Sequence, residues 1–524
     1  DKMSRIPDYL LPYLNGETGL VNTDWQDEVF RSAPISEYSV SVSGGSDKMS
    51  YYTSLGYQDQ QGIIENSGFK RLSARSNLSA KLSKRISLEL NLAPSYSVRK
   101  KVAESSHKGD GVLTMTTIAN PACMAYDAEG NLYYGDQIEK GQAWGTSAIE
   151  SPLAIAKGIE DKVKTFDFLG NLSLNVKLTN DLFFKSHFGL RYNHAEEDYF
   201  RPSYLASYNT KAPTMATGKN YNYTTKNWIS ENTLDYKIQI KEHYINLLLG
   251  VSAQREDYNT TYMNASNFPN DNIRTLNAGI VTEGNTQHAA WSLFSYFARV
   301  NYAYGSKYLL SLSYRRDGSS RFGKNNRYGS FPSASVGWRM SEESWMKKQK
   351  VFSDLKWRIS YGVTGNFQIP NYSSYSLMGI ANYVYGTTVA NGLYPNTAGN
   401  PNIGWEKTKQ WNWGADMAFL KNLLTFTADY YISTTNGLLL NVPIPAASGF
   451  TSALRNYGKL RTRGFEASAR ADITFGKLSW QPSVNFTTSR TKVLALGPNQ
   501  TQILNRASLT KVGGQVGTYY VYNV

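Results

Sequence analysis

Residues 69–92 read FKRLSARSNLSAKLSKRISLELNL, and their alternation decides the fold. Leu72, Ala74, Ser76, Leu78, Ala80 and Leu82 share one parity, while Arg71, Ser73, Arg75, Asn77, Ser79 and Lys81 share the other. Successive side chains of a strand point to opposite faces, so this segment has an apolar face and a polar one. Ser83, Lys84 and Arg85 make a short polar turn. Ile86, Leu88, Leu90 and Leu92 then alternate with Ser87, Glu89 and Asn91. Two long strands joined by a tight polar turn predict a β-hairpin.

The unit recurs outward in both directions. Leu172, Leu174, Val176 and Leu178 lead through Thr179, Asn180 and Asp181 into Leu182, Phe184, Phe188, Leu190 and Tyr192, opposed by Lys185, His187, Gly189 and Arg191. Further hairpin turns fall near Lys241–His243, Gly305–Ser306, Leu420–Asn422 and Phe475–Lys477, with an early one at Gly44–Asp47. The pattern predicts an all-β chain of roughly sixteen strands, mostly about 9 to 14 residues long, the length a tilted membrane-spanning strand needs. Between the tight turns lie long segments near 98–162, 194–226, 255–290, 365–405 and 433–463. Short turns at one end and long loops at the other are the pattern of an outer-membrane barrel. Loops of that length without their own structure are usually functional or disordered.

Composition agrees. The 524 residues are 41% hydrophobic, with a mean hydropathy of −0.44. No apolar run is long enough for a transmembrane helix, but barrel strands average out as polar. Roughly sixteen long strands in one closed barrel leave a lumen too wide for side chains to fill, so the polar face lines a wet or plugged interior and the apolar face meets lipid. A string of soluble all-β domains would instead show linkers and composition shifts, and neither is present. The net charge of +14 is diffuse, its densest clusters being Arg99–Lys101 and Lys347, Lys348 and Lys350. No recognition-helix pattern accompanies it, so no nucleic-acid partner is expected. Cys123 is the single cysteine, which excludes an internal disulfide and a thiolate zinc cluster. Asp1–Tyr9 is polar and unlike a secretory leader, so the natural N-terminus is expected upstream.

Several stretches go beyond pattern. Arg316-Asp317-Gly318-Ser319-Ser320-Arg321-Phe322-Gly323, Asn326-Arg327-Tyr328-Gly329, Phe331-Pro332-Ser333 and Gly337-Trp338-Arg339 follow one another. Leu355 to Asn366 comes next, then Asn400-Pro401, Trp405-Glu406, Asp429-Tyr430-Tyr431, Leu438-Leu439-Leu440 and Gly464-Phe465-Glu466. Near the start stand Asn22-Thr23-Asp24-Trp25-Gln26-Asp27 and Ser43-Gly44-Gly45. In this order the run resembles SusC/RagA-type TonB-dependent transporters. The resemblance implies a large antiparallel transmembrane β-barrel of about 22 strands around a plug domain, in the outer membrane of Bacteroidetes-type bacteria. It implies a SusD-like surface lipoprotein as a lid, energy from TonB, ExbB and ExbD, and oligosaccharides or peptides as cargo. Outer-membrane lipid and lipopolysaccharide would surround the barrel. No plug or TonB box is recognised, so residues 1–524 read as a partial barrel with long extracellular loops, lacking plug and terminal strands.

Chemistry-bearing motifs are sparse. Nucleophile-elbow, zincin, P-loop and dinucleotide-binding patterns are absent, so neither an enzyme nor a cofactor is expected. His107, His187, His194, His243 and His288 are scattered, and His187 and His194 fall on opposite faces of a strand. Asp127, Glu129 and Asn131 around Gly130 faintly resemble a calcium loop, but position 138 is Ile where that loop needs a bidentate Glu, so a turn is expected. Arg315, Arg316, Asp317 and Arg321 could clamp an anionic ligand, though a strand-end structural network is the favoured reading. Tyr372, Tyr375, Tyr383, Tyr385 and Tyr394 form a loop suited either to stacking on sugars or to packing against the lid. An oligosaccharide importer is the leading functional reading, based on family frequency alone. A peptide importer, a non-transporting receptor or scaffold barrel, and a hydrolase barrel are the alternatives. The last needs a serine or acidic dyad with a histidine on one face, which the chain does not assemble.

Overall fold

The computed structural model describes residues 11–103, 111–134, 150–207, 210–498, 500–505 and 507–521; Asp1–Tyr9, His107 and Ile138 lie outside these ranges. Two short helices come first, α1 (Leu11–Leu14) and α2 (Trp25–Val29). The strands β1 (Ile35–Gly45), β2 (Met49–Gln61), β3 (Gly68–Lys81) and β4 (Ile86–Lys100) follow as a meander. After α3 (Val112–Ile118) and α4 (Pro152–Gly158) come β5 (Glu160–Lys177), β6 (Leu182–Arg201), β7 (Thr217–Ile240), β8 (His243–Ser266) and β9 (Ile280–Tyr304). The chain continues through β10 (Tyr308–Ser319), β11 (Tyr328–Arg339) and β12 (Phe352–Asn366). A separate hairpin, β13 (Met378–Tyr385) and β14 (Thr388–Pro395), interrupts it. The series resumes with β15 (Glu406–Phe419), β16 (Leu424–Pro443) and β17 (Ser452–Ala471). Small pieces β18 (Ile473–Phe475) and β19 (Leu478–Trp480) precede β20 (Ser483–Ala495), and β21 (Gln502–Asn505), β22 (Ser508–Lys511) and β23 (Thr518–Tyr519) end the chain.

Among the described residues, sixteen strands form one sheet in chain order, from β1 through β12 to β15, β16, β17 and β20. The paired strands are antiparallel, as in the β3–β4 and β8–β9 ladders. Every tight turn expected from the sequence is present. Positive φ at Lys241, Gly305, Ser306, Leu420, Lys421, Asn422 and Gly476 lets the chain reverse there. The sheet is open, with β1 and β20 each paired on one side only, so it is a wall with two edges.

The register settles which residues share a face. Leu78, Leu90, Leu172 and Phe188 lie in one cross-strand row. Leu234, Leu249, Ala298 and Tyr314 make another. These rows lie on the apolar face, where Leu72 is 56%, Leu249 58% and Val336 55% exposed. A soluble sandwich would bury such residues, so this outer face requires an apolar solvent. Near the tight turns an aromatic row borders it. His243 Nδ1 lies 2.9 Å from Tyr302 Oη, Tyr304 stacks with Tyr308, and Tyr308 Oη and Trp338 Nε1 both donate to Glu343 Oε1. Away from the turns, Tyr361, Trp411, Trp413 and Tyr430 form a second aromatic run. Two aromatic borders around an apolar band are the girdles of a membrane barrel.

The strands differ from expectation in length. β7 and β8 have 24 residues each and β9 has 25, beyond the 9 to 14 predicted. The long segments at 194–226, 255–290 and 433–463 are therefore largely strand, and the true connectors shrink to 202–216, 267–279 and 444–451. The reason is physical. About ten tilted residues cross an apolar band of ~25 Å, and beyond it both faces of the strand meet water. There the outer face carries Asn220, Asn222 and Thr224, so the apolar alternation fades while the ladder continues. Within the described parts of the 98–162 segment, Val112, Met115, Ala154 and Ile155 pack with Val29, Ile64 and Leu205 into a small core at the rim.

The face assignment yields a test. Leu172→Arg should destabilise the inserted barrel by roughly 2–4 kcal/mol, whereas Asn171→Arg, on the opposite face, should be nearly neutral; urea titration of the full-length protein in bilayers measures both.

Candidate functional site

The inner face of the tall strands carries the densest polar-aromatic surface. Tyr221 and Tyr223 on β7 and Tyr258 and Tyr262 on β8 point inward together, Tyr221 being the register partner of Tyr262. The hydroxyls of Tyr221 and Tyr258 are 2.9 Å apart. The Tyr221 ring lies 5.8 Å from Tyr223 and 6.2 Å from Tyr262. Burial, and then the Tyr221 hydrogen bond, push the Tyr258 phenol up to about 12. It stays neutral at cellular pH and can both donate and accept.

A polar relay continues this surface toward the membrane band. Gln254 Nε2 donates to Asn227 Oδ1 (3.1 Å), and Asn227 Nδ2 donates to Glu256 Oε2 (2.9 Å). Trp291 Nε1 donates to Glu256 Oε1 at 2.9 Å, fixing an indole that is 8% exposed. The result is aromatic rings beside fixed amide and carboxylate groups, above the lumen. Such a surface can stack on flat apolar faces and hydrogen-bond hydroxyls or amides.

The arginine motif is divided between places. Arg315 and Asp317 lie on the inner face, paired at 2.6 Å, and Arg315 Nη2 also donates to Ser295 Oγ (2.9 Å). The same guanidinium lies over the Phe297 ring, which covers Gly250 across the ladder; a Cβ at Gly250 would come within 2.3 Å of that ring. Arg316 takes the outer face and stacks over Tyr328. Arg321 sits beyond the strand end between the Trp291 and Phe367 rings, and its Nε donates to Asn371 Oδ1 at 2.8 Å. Burial pulls its basicity down, opposed by the Glu256 charge. The four residues are thus three separate fixtures rather than one clamp.

Behind Arg321 lies a wall ridge. Phe322, Ile369 and Ile403 form a buried cluster with Phe367, Trp405, Leu439 and Leu454 packed against it. Trp405 lies 4.9 Å from Phe322 and 5.0 Å from Phe331, and its Nε1 donates to Arg327 O. This ridge roots the 367–405 loop. Of the loop tyrosines, Tyr372 is tied down, its hydroxyl accepting from Ala290 N at 3.0 Å. Tyr383, Tyr385 and Tyr394 share one face of the β13–β14 hairpin and are exposed. Tyr375 is exposed near the hairpin base.

Other polar groups stabilise the wall. Arg358 holds both Asp416 and Asp429, with four N–O distances of 2.9 to 3.1 Å. Near the rim, Lys101 bridges Asp161 (3.4 Å) and Glu197 (2.6 Å); burial raises the Asp161 carboxyl against the pull of Lys101. His187 and His194 bond Ser173 and Thr224 on opposite faces. Asp127 accepts from the backbone N–H of Glu129 and Asn131, closing a turn, and these bonds lower its carboxyl. Among the described residues no cluster of metal-ligating side chains exists. The sequence did not single out the Tyr221–Tyr258 pair. The signal is present as two tyrosine-rich segments, YNY at 221–223 and DYNTTY at 257–262, but only the β7–β8 register superposes them.

The chain matches the family model described as "TonB dependent receptor-like, beta-barrel" over residues 125–522. It is 31% identical over 525 residues to the TonB-dependent receptor P3 of Formosa agariphila, covering 96% of this chain and 51% of that protein. It is 28% identical to the TonB-dependent receptor SusC of Bacteroides thetaiotaomicron, covering 97% of this chain and 53% of SusC. The RagAB peptide transporter structure matches with a TM-score of 0.85 at 25% identity, over 95% of this chain and 55% of that one. The chain therefore spans about half the length of the relatives it matches.

The ridge is testable. Phe322→Ala should cost roughly 3–5 kcal/mol and free the 367–405 loop, lowering the thermal midpoint and speeding protease cleavage within that loop.

Proposed function

This chain belongs to the TonB-dependent receptor-like β-barrel family of outer-membrane proteins, and from that premise we propose that it forms the wall of a SusC/RagA-type importer. The outer face meets lipid and lipopolysaccharide. The inner face and rim take up cargo, which moves inward when TonB, energised by ExbB and ExbD, acts on a plug domain elsewhere in the full-length protein. A SusD-like surface lipoprotein serves as the lid over the rim. The wall binds and guides, and makes or breaks no covalent bond.

Oligosaccharides are the proposed cargo. The observation that carries this reading is the inward cluster of Tyr221, Tyr223, Tyr258 and Tyr262 beside Asn227, Gln254 and Glu256. Sugar rings offer C–H faces to tyrosine and hydroxyls to amide and carboxylate groups. Tyr383, Tyr385 and Tyr394 would add a second aromatic surface from the loop side. The second reading, oligopeptides, is favoured by the likeness to the RagAB peptide transporter over 95% of the chain.

Calorimetry on the full-length transporter with its lipoprotein discriminates the two. Tyr258→Ala combined with Tyr262→Ala should weaken oligosaccharide binding several-fold while insertion is retained. Unchanged glycan affinity, or glycan binding absent where peptides bind, would sink the oligosaccharide reading. A full gene lacking both plug and TonB box would return the chain to the scaffold class.

A further inference from the structure

The wall has a notch. β9 begins at Ile280, but its neighbour β10 pairs with it only from Leu293 onward. On that side the upper half of β9 has no strand partner among the described residues. The polarity of the edge is readable. Ser292 N donates to Ser320 Oγ and Ala290 N donates to Tyr372 Oη, so even-numbered residues direct their backbone groups to the open side. Gly284, Thr286 and His288 therefore present unpaired N–H and C=O groups there. None of residues 284–288 is Lys or Pro, the residues that commonly block an edge.

Beside the notch stands an incomplete element. The β13–β14 hairpin pairs only with itself in the sheet order. Ile380 is 77%, Val384 64%, Val389 63% and Leu393 70% exposed on one face, with Tyr383 and Tyr385 exposed on the other. A lone two-stranded hairpin of this kind is marginal in water. Its base is already pinned to β9 by the Tyr372 hydroxyl on Ala290 N. Asn396 N donates to Leu377 O, which fixes odd residues of β13 toward β14 and even residues, Met378 to Val384, toward its free edge.

We propose that β13 adds to the open edge of β9 and closes the notch. The directions agree, since β9 descends toward its turn at Gly305 and β13 rises from the tether. With Ala290 opposite Met378, the even edge groups meet as hydrogen-bonded pairs: His288 with Ile380, Thr286 with Asn382 and Gly284 with Val384. Paired residues share a face. Tyr383 and Tyr385 then fall on the face of Glu283 and Asn285, which is the inner one, and Tyr394 follows through its partner Gly379. Docking would thus turn three solvent-exposed tyrosines into a continuation of the inner wall above Trp291, and leave Ile380 and Val384 facing outward. A second copy in the same membrane is a poor occupant of the edge. A two-fold axis along the membrane normal leaves both β9 strands descending, so they cannot pair antiparallel.

Disulfide trapping in outer membranes carrying the full-length protein tests this. Gln287 and Ala381 would be a non-hydrogen-bonded pair, close enough for a disulfide, whereas Gln287 and Leu393 would be two strands apart. The expected result is oxidation of Gln287→Cys with Ala381→Cys and none of Gln287→Cys with Leu393→Cys, buried Cys123 being common to both. Adding Thr286→Pro removes an N–H that has no ladder partner in the open form, so insertion should be unchanged and the cross-link lost. Absence of the first cross-link, equal trapping of both pairs, or a cross-link that survives Thr286→Pro overturns the proposal. Exchange-protected amides at 284, 286 and 288 without the cross-link would also overturn it, assigning the edge to a foreign strand.

Discussion

The backbone hydrogen-bond ladder is the constraint on which everything else depends. In hydrocarbon an unpaired peptide group costs several kcal/mol, so a chain crossing with strands must pair each one with its neighbour. The sixteen-strand sheet does this in strict chain order. Once that order is imposed, pleat parity divides the side chains into two populations. Within the apolar band leucines such as Leu172, Leu234 and Leu249 face out, and Arg315, Asp317, Arg358, Asp416 and Asp429 face in. These five inward charges are paired with one another at short range, which offsets their partial desolvation in the wall.

Beyond the apolar band the same ladder serves a different purpose. Water would satisfy the peptide groups there, so pairing is no longer compulsory, yet β7, β8 and β9 continue for roughly another turn-to-turn length. What they gain is rigidity. The inner surface at Tyr221, Tyr258 and Trp291 is carried by strands and not by loops, which holds its rings and amides in place. The shorter β10 and β11 leave the rim uneven, and the 367–405 loop, rooted through Phe322 and Trp405, occupies the low side.

Much of this was legible in the sequence, because the signal that reveals a barrel strand is the very partition that the bilayer enforces. The turns at Lys241, Gly305 and Leu420 and the strand count could be read directly. The rim could not. Where both faces meet water, Asn220 to Thr225 has no aliphatic face, only tyrosines alternating with amides, and a strand reads as a polar loop. The arginine motif shows a different limit. Arg315 and Arg316 are adjacent in sequence and so belong to opposite sides of the sheet, while Arg321, six residues from Arg315, leaves the sheet altogether. The loop tyrosines were singled out by composition, but which of them share a face depends on the β13–β14 register. The Tyr221–Tyr258 contact spans two strands and no local pattern announces it.

The length of the paired wall above the membrane also limits how such a protein can change. At each inner position a substitution alters what the vestibule offers and leaves the lipid-facing residues untouched. Inserting one residue into β8 would instead exchange inner and outer side chains over the rest of the strand, sending tyrosines outward and threonines inward. The one slip in the β8–β9 ladder, an extra residue at Thr282 of β9 opposite the step from Asn264 to Ala265, sits near the very top of the wall, where it displaces almost nothing. The inner surface of a wall of this build is therefore free to drift by point replacement, while changes of length are confined to the outermost rim.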